Sequence, residues 1–159
     1  MKTLIPFLLI LALAASASAL IQGEQPYRAY DISIHGRKFH LEFFAKDVDG
    51  TPEWQLGQGE PPISPYTAYL KAEEAWRNLL PNLGEAHADR LMIEHLTGRD
   101  GKTHYYYNIS FFSDALDAED TGSGLKGLSM IRFYVLMDGR VIAPHQINKE
   151  VRERETGVN

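Results

Sequence analysis

The chain contains no cysteine. That excludes disulfide staples, thiol nucleophiles and cysteinyl metal sites together. Basic residues are also short, with 16 Lys and Arg against 21 Asp and Glu and a formal charge of −5. An acidic chain without a basic stripe is a poor partner for DNA, RNA or anionic lipid. Long apolar runs are missing apart from Leu4 to Ala15, which Pro6 interrupts. That run falls short of the roughly 20 residues a bilayer span needs. No Gly-x-Ser-x-Gly elbow, His-x-x-x-His pair or repeat of 20 to 50 residues occurs.

What is present begins with an export pattern. Lys2 supplies a positive start, the apolar run follows, and Ala15-Ser16-Ala17-Ser18-Ala19 offers small residues at the spacing signal peptidase reads. The pattern predicts a signal peptide over 1–19, cleaved after Ala19, and a periplasmic or secreted mature chain with no transmembrane segment. The remaining 140 residues are the size of one ordinary domain. The expected organisation is a single domain over 20–147 and a charged tail over 148–159.

Alternation marks a first hairpin over 27–44. Taking Gly36-Arg37 as a two-residue turn sets Ile34 opposite Phe39, Ile32 opposite Leu41 and Tyr30 opposite Phe43, with all six on one apolar face. Turn and polyproline signals through Pro61-Pro62 then lead to Ser64-Pro65, an N-cap followed by proline at the first helical position. Ala68, Tyr69, Ala72, Ala75, Trp76, Leu79 and Leu80 form a helical stripe that ends before Pro81, Asn82 and Gly84. A second hairpin turns at Arg99-Asp100-Gly101, pairing Leu91 with Ile109, Ile93 with Tyr107 and His95 with Tyr105. Its other face holds Met92, Glu94, Tyr106, Asn108 and Ser110. Ser113 to Gly127 reads as an acidic, glycine-rich loop. A last strand over 128–137 turns at Asp138-Gly139 into 140–143, with Ile131, Phe133, Val135 and Ile142 expected on one face. The order predicts an α+β fold, one principal helix packed on an antiparallel sheet of hairpins, with an additional N-terminal hairpin.

Chemistry is thin along this framework. Ser123 stands in a loop, whereas a catalytic serine needs a rigid turn beside a base. His35 and His40 share one face of the first hairpin, with Ser33 opposite His40, but no close ligand triplet accompanies them. Asp47-x-Asp49-Gly50 with Glu53 resembles a fragment of a calcium loop and lacks the distal carboxylate, so it reads as a plain turn. Asp114, Asp117, Glu119 and Asp120 read as a solvated acidic loop. No catalytic, metal or cofactor site is assigned. The expected partner-binding face is Tyr106, Arg132 and Tyr134, since aromatics beside arginine are common in binding patches.

Ile63 to Pro144 resembles the PepSY-like group of exported bacterial domains. The shared features are Ser64-Pro65 opening an alanine-spaced helix (Ala68, Ala72, Ala75), Leu91-Met92-Ile93, the strand Tyr105 to Phe111, and the closing Val135 to Ile142 around Asp138-Gly139. Such domains occur in propeptides of thermolysin-type proteases and in envelope proteins, and are thought to bind or restrain a protein partner. The resemblance implies a non-catalytic module that recognises a peptide or envelope protein and supplies no catalytic residues. The alternative is a small-ligand binder or enzyme with a cavity between helix and sheet, lined by histidines or tyrosines.

Overall fold

The computed structural model describes residues 24–34, 36–113 and 130–147. The predicted signal peptide, His35, the acidic loop from Asp114 onward with Ser123, and the charged tail lie outside the described residues. Two antiparallel sheets and one α-helix make up the fold. Strands β1 (Arg28–Ile34) and β2 (Arg37–Phe43) form the first hairpin. Helix α1 (Pro65–Leu79) follows, then β3 (His87–Thr97), β4 (Thr103–Phe112), β5 (Ile131–Leu136), β6 (Val141–Ile142) and β7 (His145–Gln146). The larger sheet runs β3-β4-β5-β6 and the smaller β1-β2-β7. This is the expected α+β class with one helix on a sheet.

Helix α1 begins where its capping chemistry dictates. The Ser64 side chain accepts a 3.1 Å hydrogen bond from Thr67 N, and Pro65 occupies the first turn, where no N–H is needed. Ala68 and Ala72 let the helix approach the sheet closely, and Trp76 fills the space beyond them; all three are buried. Opposite lie Tyr107, Ile109 and Phe111 of β4 and Ile131, Phe133 and Val135 of β5. Alternate residues of those strands point the other way, so the sheet has a second face to cover.

The first hairpin covers it. Leu41, Phe43 and Val48 pack with Tyr106, Tyr134, Leu136 and Leu96 in a second core on the outer face. Phe43 stacks on Tyr134 (centroids 4.9 Å, planes 24° apart) and meets Tyr106 edge-on at 4.9 Å. The larger sheet is therefore covered by the helix on one face and by the Leu41–Phe43 end of the hairpin on the other. Ile34 and Phe39, near the hairpin turn, join the helix-side core. Strand β7 joins the hairpin by pairing Phe39 with Gln146 and His40 with His145.

The three turns differ in how closely they follow expectation. The β3–β4 register is as predicted, with Leu91 opposite Ile109, Ile93 opposite Tyr107 and His95 opposite Tyr105. In the first hairpin Ile34 pairs with Arg37, Ile32 with Phe39 and Tyr30 with Leu41, two positions from the predicted register. Gly36 takes the left-handed conformation as the second turn residue, not the first. A two-residue shift preserves the faces, which is why alternation alone could not detect it. At the last turn Leu136 N bonds to Arg140 O and Gly139 has φ 86°, making a three-residue loop over 137–139. Val135 therefore pairs with Val141 and Tyr134 with Ile142. Ile142 joins the outer core, contrary to its predicted face, and Val141 takes the helix side.

Candidate functional site

The hairpin does not reach across the whole outer face. Register stacks three rows of side chains there: Glu94–Tyr106–Leu136, Met92–Asn108–Tyr134 and Arg90–Ser110–Arg132. Hairpin side chains cover Tyr106, Tyr134 and Leu136. The Arg90–Ser110–Arg132 row lies beyond them, with Arg90 and Arg132 exposed and Ser110 buried at its centre. The result is a polar cleft of about 160 Å³, floored by Asn108 and Ser110, walled by Arg28, Arg90, Arg132 and Glu94, and closed by Met92, Met130 and Tyr134.

Its groups are held in place. The Tyr30 hydroxyl donates to Arg132 O at 2.8 Å and accepts from Arg132 N at 2.9 Å, standing in for a strand partner beyond the short β6. Burial pushes that phenol well above the usual tyrosine range. Glu94 Oε2 accepts from the Tyr106 hydroxyl at 2.8 Å and Oε1 from Asn108 Nδ2 at 2.9 Å. Burial, reinforced by Glu94, raises the Tyr106 pKa strongly and keeps it a donor. Since the carboxylate accepts only, Asn108 Nδ2 must face it, and the buried Asn108 Oδ1 is left without a partner. An unsatisfied buried acceptor costs roughly 1–3 kcal/mol, so a donor supplied at that point is favoured.

The charge of the cleft runs against that of the chain. Three guanidiniums surround it with one carboxylate, and Glu94 already accepts two hydrogen bonds. Arg28 Nη2 lies 3.9 Å from Glu94, while Arg90 and Arg132 have no carboxylate at ion-pair distance among the described residues. The arrangement suits a small anionic group, which planar guanidiniums bind by paired hydrogen bonds.

Of the three residues expected to form a binding face, only Arg132 is exposed. Tyr106 and Tyr134 are 0% and 1% exposed beneath Phe43. The sequence does not say what covers the outer face, so alternation alone leaves both on it as surface. Arg28, Arg90, Glu94, Asn108 and Ser110 were missed as a group. The β3–β4 register already aligned Arg90 with Ser110, but the placement of β5 and β1 beside them was not legible.

A second constellation gathers Asp49, Asp100 and His104, with one candidate ligand atom from each within 4.8 Å of the others. Sequence distance hid it, since Asp49 comes from the connector, Asp100 from the β3–β4 turn and His104 from the start of β4. Each group has local work. Thr51 Oγ1 donates to Val48 O and lies 2.9 Å from Nδ1 of the buried His104, whose Nε2 is 3.0 Å from both Asp100 oxygens. Asp49 Oδ1 accepts from Arg99 N at 2.9 Å and Oδ2 from Arg99 Nε at 3.3 Å. Asp100 is held below the usual carboxylate range by the Lys102 N–H and then by His104. These contacts tie the connector to the turn, with the Arg99 guanidinium paired to Asp49.

The remaining sequence candidates are dispersed. His40 Nδ1 bonds Asp31 at 2.5 Å, and Lys38 stands opposite Ser33 in place of the expected His40. Asp47 accepts from Phe44 N, and Glu53 pairs with Lys102. His95 is exposed against the Tyr105 ring. No family model, curated protein or solved structure matches the chain.

Proposed function

We propose that the chain is an exported, non-catalytic binding module of the cell envelope that recognises a peptide or protein partner by an acidic group seated in the outer-face cleft. The observation that carries this reading is the open Arg90–Ser110–Arg132 row in an otherwise acidic molecule. Arg28 adds a third cation, and Asn108 Oδ1 offers an acceptor for a donor beside the anion. The PepSY-like pattern over 63–144 and the leader-like 1–19 support the partner class and the location.

A small free carboxylate is the second reading, favoured by the cleft's volume of about 160 Å³. The helix side, where the alternative reading places its cavity, is packed with Trp76, Phe111 and Phe133. Titration of the protein with two seven-residue peptides, alike except for Glu or Gln at the centre, separates the readings. The Glu peptide is expected to bind about tenfold tighter, a gain of about 1.4 kcal/mol that Arg132→Gln removes. Equal affinities would reject the cleft as the recognition site. N-acetylglutamate binding as tightly as the Glu peptide would favour the small-ligand reading.

A further inference from the structure

Strand β3 ends the larger sheet, and among the described residues nothing pairs with its outer edge. It is 11 residues long and carries half-exposed Leu91 and Ile93 on the helix face. Natural sheets blunt such edges with short strands, lysine or proline, because unpaired N–H and C=O groups recruit another strand. Here the edge has a bulge between Ala88 and Arg90 and is regular beyond it.

The sequence of that regular stretch is its own antiparallel complement. Aligned about Met92, Arg90 falls opposite Glu94 of a second copy, Leu91 opposite Ile93, and Met92 opposite Met92. Arg90, Met92 and Glu94 all belong to the outer face, Leu91 and Ile93 to the helix face, so each pair meets on one side of the joined sheet. A shift of two residues either way sets Arg90 opposite Met92 or Leu96 and loses both ion pairs. Glu94 retains 24% side-chain exposure and Arg90 has no carboxylate of its own nearby among the described residues, so both are open to the contact.

We infer that two copies of this chain pair antiparallel along β3 about a two-fold axis at Met92, forming one continuous eight-stranded sheet. The contact is isologous, so each copy contributes both halves of every pair. Ser110 and Arg132 lie on β4 and β5, away from the paired edge. The contact shares Arg90, Met92 and Glu94 with the cleft wall, so pairing engages Arg90 and leaves Arg28 and Arg132 as the cleft's other cations.

Cysteine scanning tests it directly, because the chain has no cysteine of its own. Met92→Cys places two thiols opposite each other at roughly 5 Å between Cβ atoms, and a short bismaleimide should convert the protein to a covalent dimer. Thr97→Cys places them about 34 Å apart and should give none. By light scattering the parent is expected at twice the chain mass. Arg90→Glu and Glu94→Lys should each be monomeric. Mixing the two variants should regain the dimer, because the reversed charges then face each other across the axis. Ile93→Lys disrupts the same contact without touching the Glu94 hydrogen bonds, should the Glu94 variant fail to fold. A monomeric parent, with no cross-link formed by Met92→Cys, overturns the inference. So does cross-linking by Thr97→Cys equal to that by Met92→Cys, or a dimer indifferent to both Arg90→Glu and Ile93→Lys.

Discussion

Single residues in this molecule are decided by what lies opposite them more than by their own type. Gly98 is one case, since its need is for space and not for backbone freedom. A Cβ there would stand 2.6 Å from Asp49 Oδ1 and 2.8 Å from Asp100 Oδ1. Gly98→Ala is expected to cost about 1–3 kcal/mol in denaturant unfolding by prising the connector from the β3–β4 turn. His40 is another. Its hydrogen bond to Asp31, with further help from Glu42, raises its pKa above the ordinary value against a smaller cost of burial. A raised histidine contributes stability that is fully present below about pH 6.5 and is lost as pH rises through the folded value. The melting temperature should therefore fall from pH 5.5 to pH 8, and Asp31→Asn should flatten that slope.

At the level of elements, helix α1 and the β3–β4 hairpin were legible almost whole. Their signals are local: a Ser-Pro start, a three-residue loop with Gly101 left-handed, and strict periodicity between them. The two other turns show where local signals run out. Loops of two and three residues use the same Asp-Gly and Gly-x vocabulary, and the choice moved Ile142 across the sheet. The function of the first hairpin was not readable at all, since its apolar face announces burial without naming the surface it buries against. Phe43 provides the test of that docking, being fully buried against Tyr106 and Tyr134. Phe43→Ala should destabilise by about 3–5 kcal/mol. It should also restore proteolytic access to 28–43 before the β3–β5 sheet opens; simultaneous loss of both would show that hairpin and sheet form one cooperative unit.

For the whole molecule, the proposed function combines a predicted leader, a sheet covered on both faces and a cationic cleft in a chain of net charge −5. Expression in a bacterial host with a periplasm is expected to yield an exported product lacking 1–19 and beginning at Leu20. Intact-mass analysis of the periplasmic fraction checks this, and a retained leader would contradict it. The cleft lies beside the hairpin residues that cover Tyr106, Tyr134 and Leu136. One placement serves both hairpin and cleft: the Tyr30 hydroxyl anchors the hairpin and fixes the backbone of Arg132 together.

The sequence by itself determined the α+β class, the helix, the central hairpin and the exclusion of cysteine chemistry, because composition, capping and periodicity act over a few residues. Only the tertiary structure decided that Tyr106 and Tyr134 are core, that Asp49 reaches His104, and that Arg28, Arg90 and Arg132 meet around Asn108 and Ser110. Those outcomes depend on which strand lies beside β4 and what covers the sheet's second face. Both are settled by packing between segments tens of residues apart, for which no local pattern carries the information.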